Sequence, residues 1–300
     1  MVTIKKREIK GKTYFYLSHT YALNGKKKYK ETYLGTKLPN NTARLKKEFT
    51  LQIYKEKWFG LFDSIRAEYQ KQMRRTPSDA KKRNMEAFLV RFTYDTSRIE
   101  GSKLSLKDTA ALLGLGLSPK NRPISDIKET EAHRDVFYEM INYNGELSLG
   151  LILRWHKELF SATKSAMAGR LRDYNVYISG SDFTPPPYQA VESYASEFFK
   201  WYSTEKDKLD TVELAAIAHL RFETAHPFGD GNGRIGRLIM NFILHKNGYP
   251  MLDIRYTDRA SYYNALERSN IKNDEGIFVQ WFFKRYLKES KIYLGKLQKS

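Results

Sequence analysis

Twelve consecutive residues, 226–237, combine the groups that phosphate chemistry uses, in the sequence HPFGDGNGRIGR. The closely spaced glycines let the backbone approach a ligand, and successive amides leading into a helix form an anion-binding site. Arg234 and Arg237 share one face of the first helical turn, where they can bind two phosphoryl groups. Asp230 is a hard oxygen ligand suited to Mg²⁺. His226 can take a proton from an attacking hydroxyl, so the segment predicts transfer of a phosphate-containing group.

Two other motifs fit this segment less well. Glycines 231, 233 and 236 match the dinucleotide-binding fingerprint. That fingerprint must follow a strand, whereas residues 212–221 have a helical pattern. A calcium-binding EF-hand loop is excluded because Arg234 stands where that loop needs an oxygen ligand.

Helices are predicted on both sides of the segment, over residues 211–224 and 233–246. The rest of the chain after residue 80 is also mostly helical in pattern, with helices predicted over 80–96, 105–113, 126–143, 148–162, 190–203, 259–270 and 275–294. One stretch differs, because residues 174–187 contain a strand-like segment, a turn and three successive prolines. These features predict a short exposed β-hairpin.

The beginning of the chain has a different pattern. Alternating β-forming residues predict three antiparallel strands over 3–9, 13–22 and 28–34, with Asn24 and Gly25 as a hairpin turn. From residue 42 to about 75 the apolar spacing is helical. Residues 76–79 mark a boundary, where Ser78 or Asp79 is expected to cap the next helix. The predicted domains are a basic β module at 1–41, a helical connector at 42–92 and a helical core at 93–300.

Composition limits the class of protein. The chain has 300 residues, of which 41% are hydrophobic, so it can form real cores. It has no cysteine, which excludes disulfides and thiolate chemistry and fits a reducing compartment. No apolar run reaches the length of a membrane span, so a soluble, cytoplasmic protein is expected. The net charge of +18 is uneven, because residues 1–90 hold 22 Lys and Arg against 8 Asp and Glu.

The segment HPFGDGNGRIGR resembles the signature loop of the Fic-domain family, H-x-F-x-[D/E]-G-N-G-R-x-x-R, at every fixed position. The resemblance covers about residues 93–285. It implies a mainly α-helical Fic core with a β-hairpin flap, preceded here by a small N-terminal antiparallel β-sheet module. It also implies a protein adenylyltransferase, an enzyme that moves AMP from ATP to a protein hydroxyl.

The resemblance assigns a role to each matching residue. His226 is similar to the family's general base, and Asp230 to its Mg²⁺ ligand. The residues that resemble the family's anion-binding backbone are Gly231, Asn232 and Gly233. The residues that resemble its ligands of the β- and γ-phosphates are Arg234 and Arg237. The implied cofactors are ATP and Mg²⁺, with Mn²⁺ as an alternative metal.

Two flanking segments extend the resemblance. Residues 172–188 are similar to the family's flap, which aligns a target segment by strand addition. Its expected target-binding residues are Asn175, Val176, Tyr177 and Ile178. The stretch from Asp258 resembles the helix on the adenine side of the nucleotide, where Tyr263 and Asn270 fall on one face.

A third segment bears on regulation. Residues 96–101, TSRIEG, resemble the inhibitory [S/T]-x-x-x-E-[G/N] helix of some Fic proteins. Thr96 and Glu100 share a helical face, within an inhibitory helix expected at about 93–101. In that subclass the glutamate pairs with the second signature arginine, here Arg237, and holds ATP in an unproductive pose. The resemblance thus implies an autoinhibited AMP-transferase.

Several alternatives stay open at this point. The same Glu100 can instead position a water that removes AMP from a modified target. Self-modification and homodimer formation are both compatible with the resemblance. The lysines of residues 1–41, interleaved with tyrosines, fit either nucleic acid or an acidic partner, or simply guard the sheet edges against aggregation.

Overall fold

A computed structural model of the chain describes residues 2–23 and 25–295. The chain divides into two compact units, residues 1–64 and 65–300. Asn24 of the predicted hairpin turn lies outside the described residues, whereas Gly25 beside it has a positive φ of 73°. Among the residues described, no helix is both long and apolar enough to cross a bilayer.

The first unit contains the predicted antiparallel sheet, in the order β1-β2-β3. The strands span β1 (Thr3–Ile9), β2 (Lys12–Leu23) and β3 (Lys26–Gly35), which confirms all three predicted strands. One face of the sheet packs on helix α1 (Thr42–Tyr54). Alternation along β2 directs Leu17 and Tyr21 toward Phe49 and Ile53 of that helix, so each of the four is buried.

The predicted continuous helix from 42 to 75 is interrupted. After α1 the chain makes a π-helical turn at Lys55–Phe59 and continues as α2 (Gly60–Arg75). The wider turn rotates the following helical face, and Trp58 within it is buried.

The second unit is helical, as predicted. Its helices are α3 (Ser78–Ile99), α4 (Leu106–Leu115), α5 (Ile124–Asn142), α6 (Leu149–Phe160), α7 (Val191–Glu205), α8 (Thr211–Ala225), α9 (Asn232–Lys246), α10 (Arg259–Ile271), α11 (Glu275–Glu289) and α12 (Lys291–Leu294). Helices α8 and α9 form its centre and pack against each other. Because 11 of the 15 residues of α8 and 12 of the 15 of α9 are buried, the loop that joins them is held between two fixed ends.

Three predictions of where helices begin or end were wrong. Neither Ser78 nor Asp79 caps α3, because Pro77 occupies the N-cap position and makes no side-chain cap. Helix α3 also runs three residues beyond the predicted end, to Ile99, so the predicted inhibitory helix forms the last two turns of a 22-residue helix and the two residues after it. The predicted helix 275–294 is broken at Ser290, between α11 and α12.

Candidate active site

The loop between α8 and α9 is fixed by residues with left-handed backbone at each end. His226 ends α8 with φ 46° and ψ 57°, and Gly231 precedes α9 with φ 82°. A side chain at Gly231 would overlap the ring of Phe160, so only glycine fits there. The turn therefore places the His226 side chain beside the amino end of α9.

Within the loop, the Asn232 side chain joins the loop's two ends. Its Oδ1 accepts from the Phe228 amide at 2.9 Å, and its Nδ2 donates to the Phe228 carbonyl at 2.8 Å. Both polar atoms of the side chain are thus committed to the loop. The predicted contact of Asn232 with phosphate would have to come from its backbone amide, at the start of α9.

A buried histidine outside the signature, His156, packs against the loop. The His156 ring of α6 stacks on Phe228 at 3.8 Å between centroids. Its Nδ1 accepts from the Gly169 amide at 2.9 Å, so Nε2 carries the proton and donates to the Asp230 carbonyl at 3.1 Å. Burial lowers the pKa of His156 to about 4, which keeps the ring neutral. The sequence analysis missed this residue.

His226 is oriented to act as a base. Its Nδ1 lies 3.3 Å from the Glu223 carbonyl, which can only accept, so Nδ1 holds the proton and Nε2 carries the free lone pair. Burial lowers the pKa of His226 below its ordinary value, and the charge of Arg172 lowers it further. The imidazole is therefore neutral at pH 7, the form that accepts a proton.

Arg172 holds the predicted flap to the signature loop. Its Nε donates to the His226 carbonyl at 2.9 Å, while Nη1 and Nη2 donate to the carbonyls of Tyr174 (3.0 Å) and Pro186 (2.5 Å). Its own amide donates to the Pro227 carbonyl at 3.0 Å. One buried side chain thus joins both arms of the flap to the loop.

The hairpin predicted for the flap is not formed as a strand ladder. Residues 174–187 reverse direction as an irregular loop. The three successive prolines have no backbone N–H to donate. The Arg172 guanidinium donates to backbone carbonyls of both arms, so these carbonyls are not available to a strand ladder. The four predicted target-binding residues, Asn175, Val176, Tyr177 and Ile178, lie on this loop, and Tyr177 is 82% exposed.

Helix α10 anchors the tip of the flap. Glu267 Oε1 accepts from the Ser181 hydroxyl at 2.9 Å and from the Asp182 amide at 2.7 Å. The two predicted adenine-side residues flank Glu267 on the same helix. Tyr263 donates to the Ile99 carbonyl at 3.2 Å, and Asn270 accepts from Thr224 at 2.7 Å. Helix α10 therefore contacts the flap, the end of α3 and α8.

Asp230 already binds a cation from the protein itself. Its Oδ2 lies 2.6 Å from the Lys164 ammonium, and its Oδ1 lies 3.5 Å from Arg234. Burial alone would raise the pKa of Asp230, but Arg234 and Lys164 outweigh it and lower the pKa. An ionised carboxylate beside a phosphate site fits Mg²⁺, which commonly uses one or two carboxylates together with substrate phosphates.

Arg234 forms a second buried ion pair that the sequence analysis missed. Its Nη1 donates to Glu129 Oε2 on α5, and both residues are nine-tenths buried or more. Glu129 Oε1 also accepts from Thr163 at 3.0 Å and lies 3.1 Å from the Lys164 ammonium. A single glutamate 105 residues upstream in sequence gives no local signal, so only the fold reveals it.

Arg237 is bound by the predicted inhibitory segment. Its Nε donates to the Thr96 hydroxyl at 2.7 Å, and its Nη2 donates to the Thr96 carbonyl at 3.2 Å and to Glu100 Oε1 at 2.6 Å. Nη1 donates to Tyr262 at 3.3 Å. The guanidinium is 99% buried, so all of its charge is compensated within the site.

Two glycines allow this contact. Gly101, with φ 99°, ends α3 directly after Glu100. Gly233 leaves room for the carboxylate, because a side chain there would overlap Glu100 Oε1. The structure thus brings together seven residues predicted from sequence: Thr96, Glu100, His226, Asp230, Gly233, Arg234 and Arg237.

Comparison with known proteins identifies the family. Residues 146–244 match the Fic/DOC family. The chain is 31% identical over 230 residues to the protein adenylyltransferase fic-1 of Caenorhabditis elegans, covering 74% of this chain and 44% of that protein. The chain belongs to the Fic family. A further Fic relative, the protein adenylyltransferase Fic of Nematostella vectensis, is 30% identical over 194 residues, covering 63% of this chain and 45% of that protein.

Solved Fic structures share the fold. A Fic-domain-containing signalling protein of Bacteroides thetaiotaomicron superposes with a TM-score of 0.71 at 25% identity, covering 79% of this chain and 96% of that chain. Residues 134–508 of C. elegans Fic-1 give a TM-score of 0.70 at 26% identity, covering 86% and 77%. This chain spans less than half the length of the curated relatives that it matches.

Proposed function

We propose that this Fic protein transfers AMP from ATP to the hydroxyl of a protein side chain and is held inactive by Glu100. One observation carries the proposal. The guanidinium of Arg237 is the group expected to bind the terminal phosphate, and it donates hydrogen bonds to Thr96 and Glu100 instead. The relatives named protein adenylyltransferase support the reaction class.

His226 supplies the base for this reaction. Its free Nε2 accepts the proton of a Ser, Thr or Tyr hydroxyl as that oxygen forms a bond to the α-phosphorus. The bond from the α-phosphorus to the bridging oxygen then breaks, and pyrophosphate leaves. Nδ1, held by the Glu223 carbonyl, keeps the ring in the correct tautomer throughout.

The amino end of α9 supplies the charge for the leaving group. The backbone amides of Asn232 and Gly233 lie at this end, where the helix dipole favours an anion, whereas the Gly231 amide already donates to Asp230 Oδ1 at 2.5 Å. Arg234 and Arg237 would hold the β- and γ-phosphates. A Mg²⁺ or Mn²⁺ held by Asp230 would neutralise charge on the phosphates when bound.

Inhibition follows from competition for Arg237. A phosphate can reach this guanidinium only if Glu100 gives up its 2.6 Å contact. Removing Glu100 leaves Nη2 with only its 3.2 Å hydrogen bond to the Thr96 carbonyl, while the Thr96 hydroxyl still holds Nε. We therefore expect Glu100→Gly to activate the enzyme without losing the orientation of Arg237.

The flap is the expected site for the protein target. Arg172 and Glu267 hold its arms and its tip, while Tyr177 between them is exposed. An ordered segment with exposed backbone can add an extended target segment by main-chain hydrogen bonds. Such a contact would bring a target hydroxyl toward His226.

The intact mass of the protein after incubation with ATP and metal tests the proposal. Wild type should stay near its starting mass, and Glu100→Gly should gain AMP. His226→Ala in the Glu100→Gly background should abolish the gain. Glu139→Gln is the matched control, because Glu139 pairs with Arg154 at the surface, and it should behave as wild type. If Glu100→Gly gains no AMP with Mg²⁺ or Mn²⁺, autoinhibition by Glu100 is wrong.

The same sample separates transfer from removal of AMP. After ATP is removed, AMP-modified Glu100→Gly protein is mixed either with unmodified, active wild type or with unmodified Glu100→Gly protein. Loss of the modification only with active wild type would show that Glu100 positions water for AMP removal. Persistence of the modification in both mixtures supports a restrained transferase.

A further inference from the structure

The sheet of the first unit has a second face, opposite the one that packs on α1. The strand register places alternate residues of all three strands on this open face: Lys5, Arg7, Tyr14, Tyr16, Tyr29, Glu31 and Tyr33. Their contacts agree, since the rings of Tyr14 and Tyr16 both lie against Tyr33. The open face is thus a sheet surface with four tyrosines.

Two of the four tyrosines are half exposed, and the Lys5 ammonium, which lies 4.9 Å from the centroid of the Tyr29 ring, must move aside for a base to stack on that side of the ring. Tyr29 and Tyr33 are each 51% exposed, and they lie four residues apart on β3. At the usual rise of a strand this separates the two rings by about 13 Å, which leaves room for a separate planar group on each. Tyr16 lies on the central strand, directly opposite Tyr33.

The charge around the open face is strongly positive. Residues 1–41 contain ten Lys and Arg and two Glu. Both glutamates are already paired, because Glu31 binds Arg7 through two oxygens and Glu8 lies 2.9 Å from Lys6. The uncompensated charge belongs to exposed lysines at the two ends of the sheet, including Lys10, Lys12, Lys26, Lys27 and Lys28.

Edge protection alone does not account for this surface. Lysines on outer strands do guard a sheet against aggregation. Exposed tyrosine rings have no such effect, and they raise the tendency of a surface to associate. The tyrosine rings and the surrounding lysines together favour a ligand that has both flat apolar groups and negative charge.

We propose that the open face binds single-stranded nucleic acid, with bases stacked on Tyr29 and Tyr33 and phosphates bound by the surrounding lysines. Stacking on aromatic side chains tolerates any base, and a basic surround follows the backbone. A duplex fits this face less well, because its bases are already stacked on one another and cannot stack on the tyrosine rings. This binding is independent of the proposed AMP transfer.

Fluorescence anisotropy on the full chain tests the proposal, with a labelled oligothymidylate of about 20 nucleotides and a duplex of equal length. Wild type should bind the single strand more tightly, and about fourfold more salt should weaken binding at least tenfold. Tyr29→Ala with Tyr33→Ala should weaken it about tenfold or more. Tyr29→Phe with Tyr33→Phe keeps the rings and should bind as wild type.

Two controls keep the result specific. Tyr194→Ala removes a comparably exposed tyrosine from α7 and should leave binding unchanged. Circular dichroism should show the same folded spectrum for every variant. The proposal is overturned if wild type fails to bind at low salt, if the duplex binds as tightly as the single strand, or if the alanine pair binds as wild type.

Discussion

The Lys164 ammonium lies 2.6 Å from Asp230 Oδ2 and 3.1 Å from Glu129 Oε1. The Lys164 ammonium therefore pairs with Asp230, the carboxylate that is expected to hold the metal. A Mg²⁺ ion approaches its ligand oxygens to about 2.1 Å, so both cations cannot sit at this oxygen without strong repulsion. Metal binding at Oδ2 therefore requires Lys164 to move.

Lys164→Met should increase the affinity of the protein for metal. Removing a positive charge beside Asp230 should tighten Mn²⁺ binding by roughly tenfold, or about 1.4 kcal/mol. Electron paramagnetic resonance of free Mn²⁺ measures this in the absence of nucleotide. Lys128→Met removes an exposed lysine from α5 and should have little effect. Equal affinities in wild type and Lys164→Met would show that Lys164 does not compete with the metal.

Glu129→Gln should destabilise the protein. Arg234 would keep its charge in a buried position but lose its carboxylate, which costs about 2–4 kcal/mol. For a domain of this size, the melting temperature should fall by about 4–12 °C. Thermal unfolding measures the shift, and Glu139→Gln, in a surface pair, should change it by no more than about 3 °C.

The effect of Glu129→Gln should depend on pH. Burial alone would raise the pKa of Glu129, but the charges of Arg234 and Lys164 outweigh it and lower the pKa below 4.5. A carboxylate with a lowered pKa in the folded state stabilises the protein above its unfolded pKa and loses this effect as the pH falls through the folded value. The stability difference between wild type and variant should therefore shrink below about pH 4. A difference that is constant down to low pH would contradict the ion-pair explanation.

The pH dependence of AMP transfer should reflect His226. Because burial and Arg172 lower its pKa below 6.5, the neutral base is the main form at pH 7. In the Glu100→Gly background, the rate should rise to half its plateau below pH 6.5 and stay flat from about pH 7 to 8. A half-maximal rate above pH 7 would mean that another group limits the reaction.

Arg172→Lys should separate target modification from nucleotide binding. A lysine has one donor atom and cannot reach the carbonyls of His226, Tyr174 and Pro186 together. In the Glu100→Gly background, AMP transfer should fall at least about tenfold while ATP affinity changes less than about threefold. Mass spectrometry and calorimetry give the two readouts. Arg170→Lys alters an exposed arginine nearby and should affect neither.

Local patterns were sufficient for much of the fold. Alternation identified the three strands, and helical spacing identified the helices around the signature loop. The turn between α8 and α9 was also predictable from its glycines, and the predicted start of the second helix, residue 233, lies one residue after the observed start at Asn232. The family resemblance located Thr96 and Glu100, and both contact Arg237.

Long-range partners were not predictable in the same way. Glu129, His156 and Lys164 lie between 73 and 108 residues from Arg237, and nothing in their local sequence distinguishes them. The prediction of a flap hairpin was wrong for a different reason. Its β-forming residues are typical of a strand ladder. Its prolines and Arg172 compete for the backbone groups that a ladder needs.

The missing side chain at Gly233 has a thermodynamic consequence. Under the proposed function, the Glu100 carboxylate fills space at the amino end of α9 that a nucleotide phosphate also needs, so the two exclude each other. Thermodynamic linkage then requires the two effects to be equal. A partner that draws the end of α3 away must tighten nucleotide binding, and bound nucleotide must weaken the contact of α3 by the same free energy. The last turn of α3 would therefore report the occupancy of the site as well as control it.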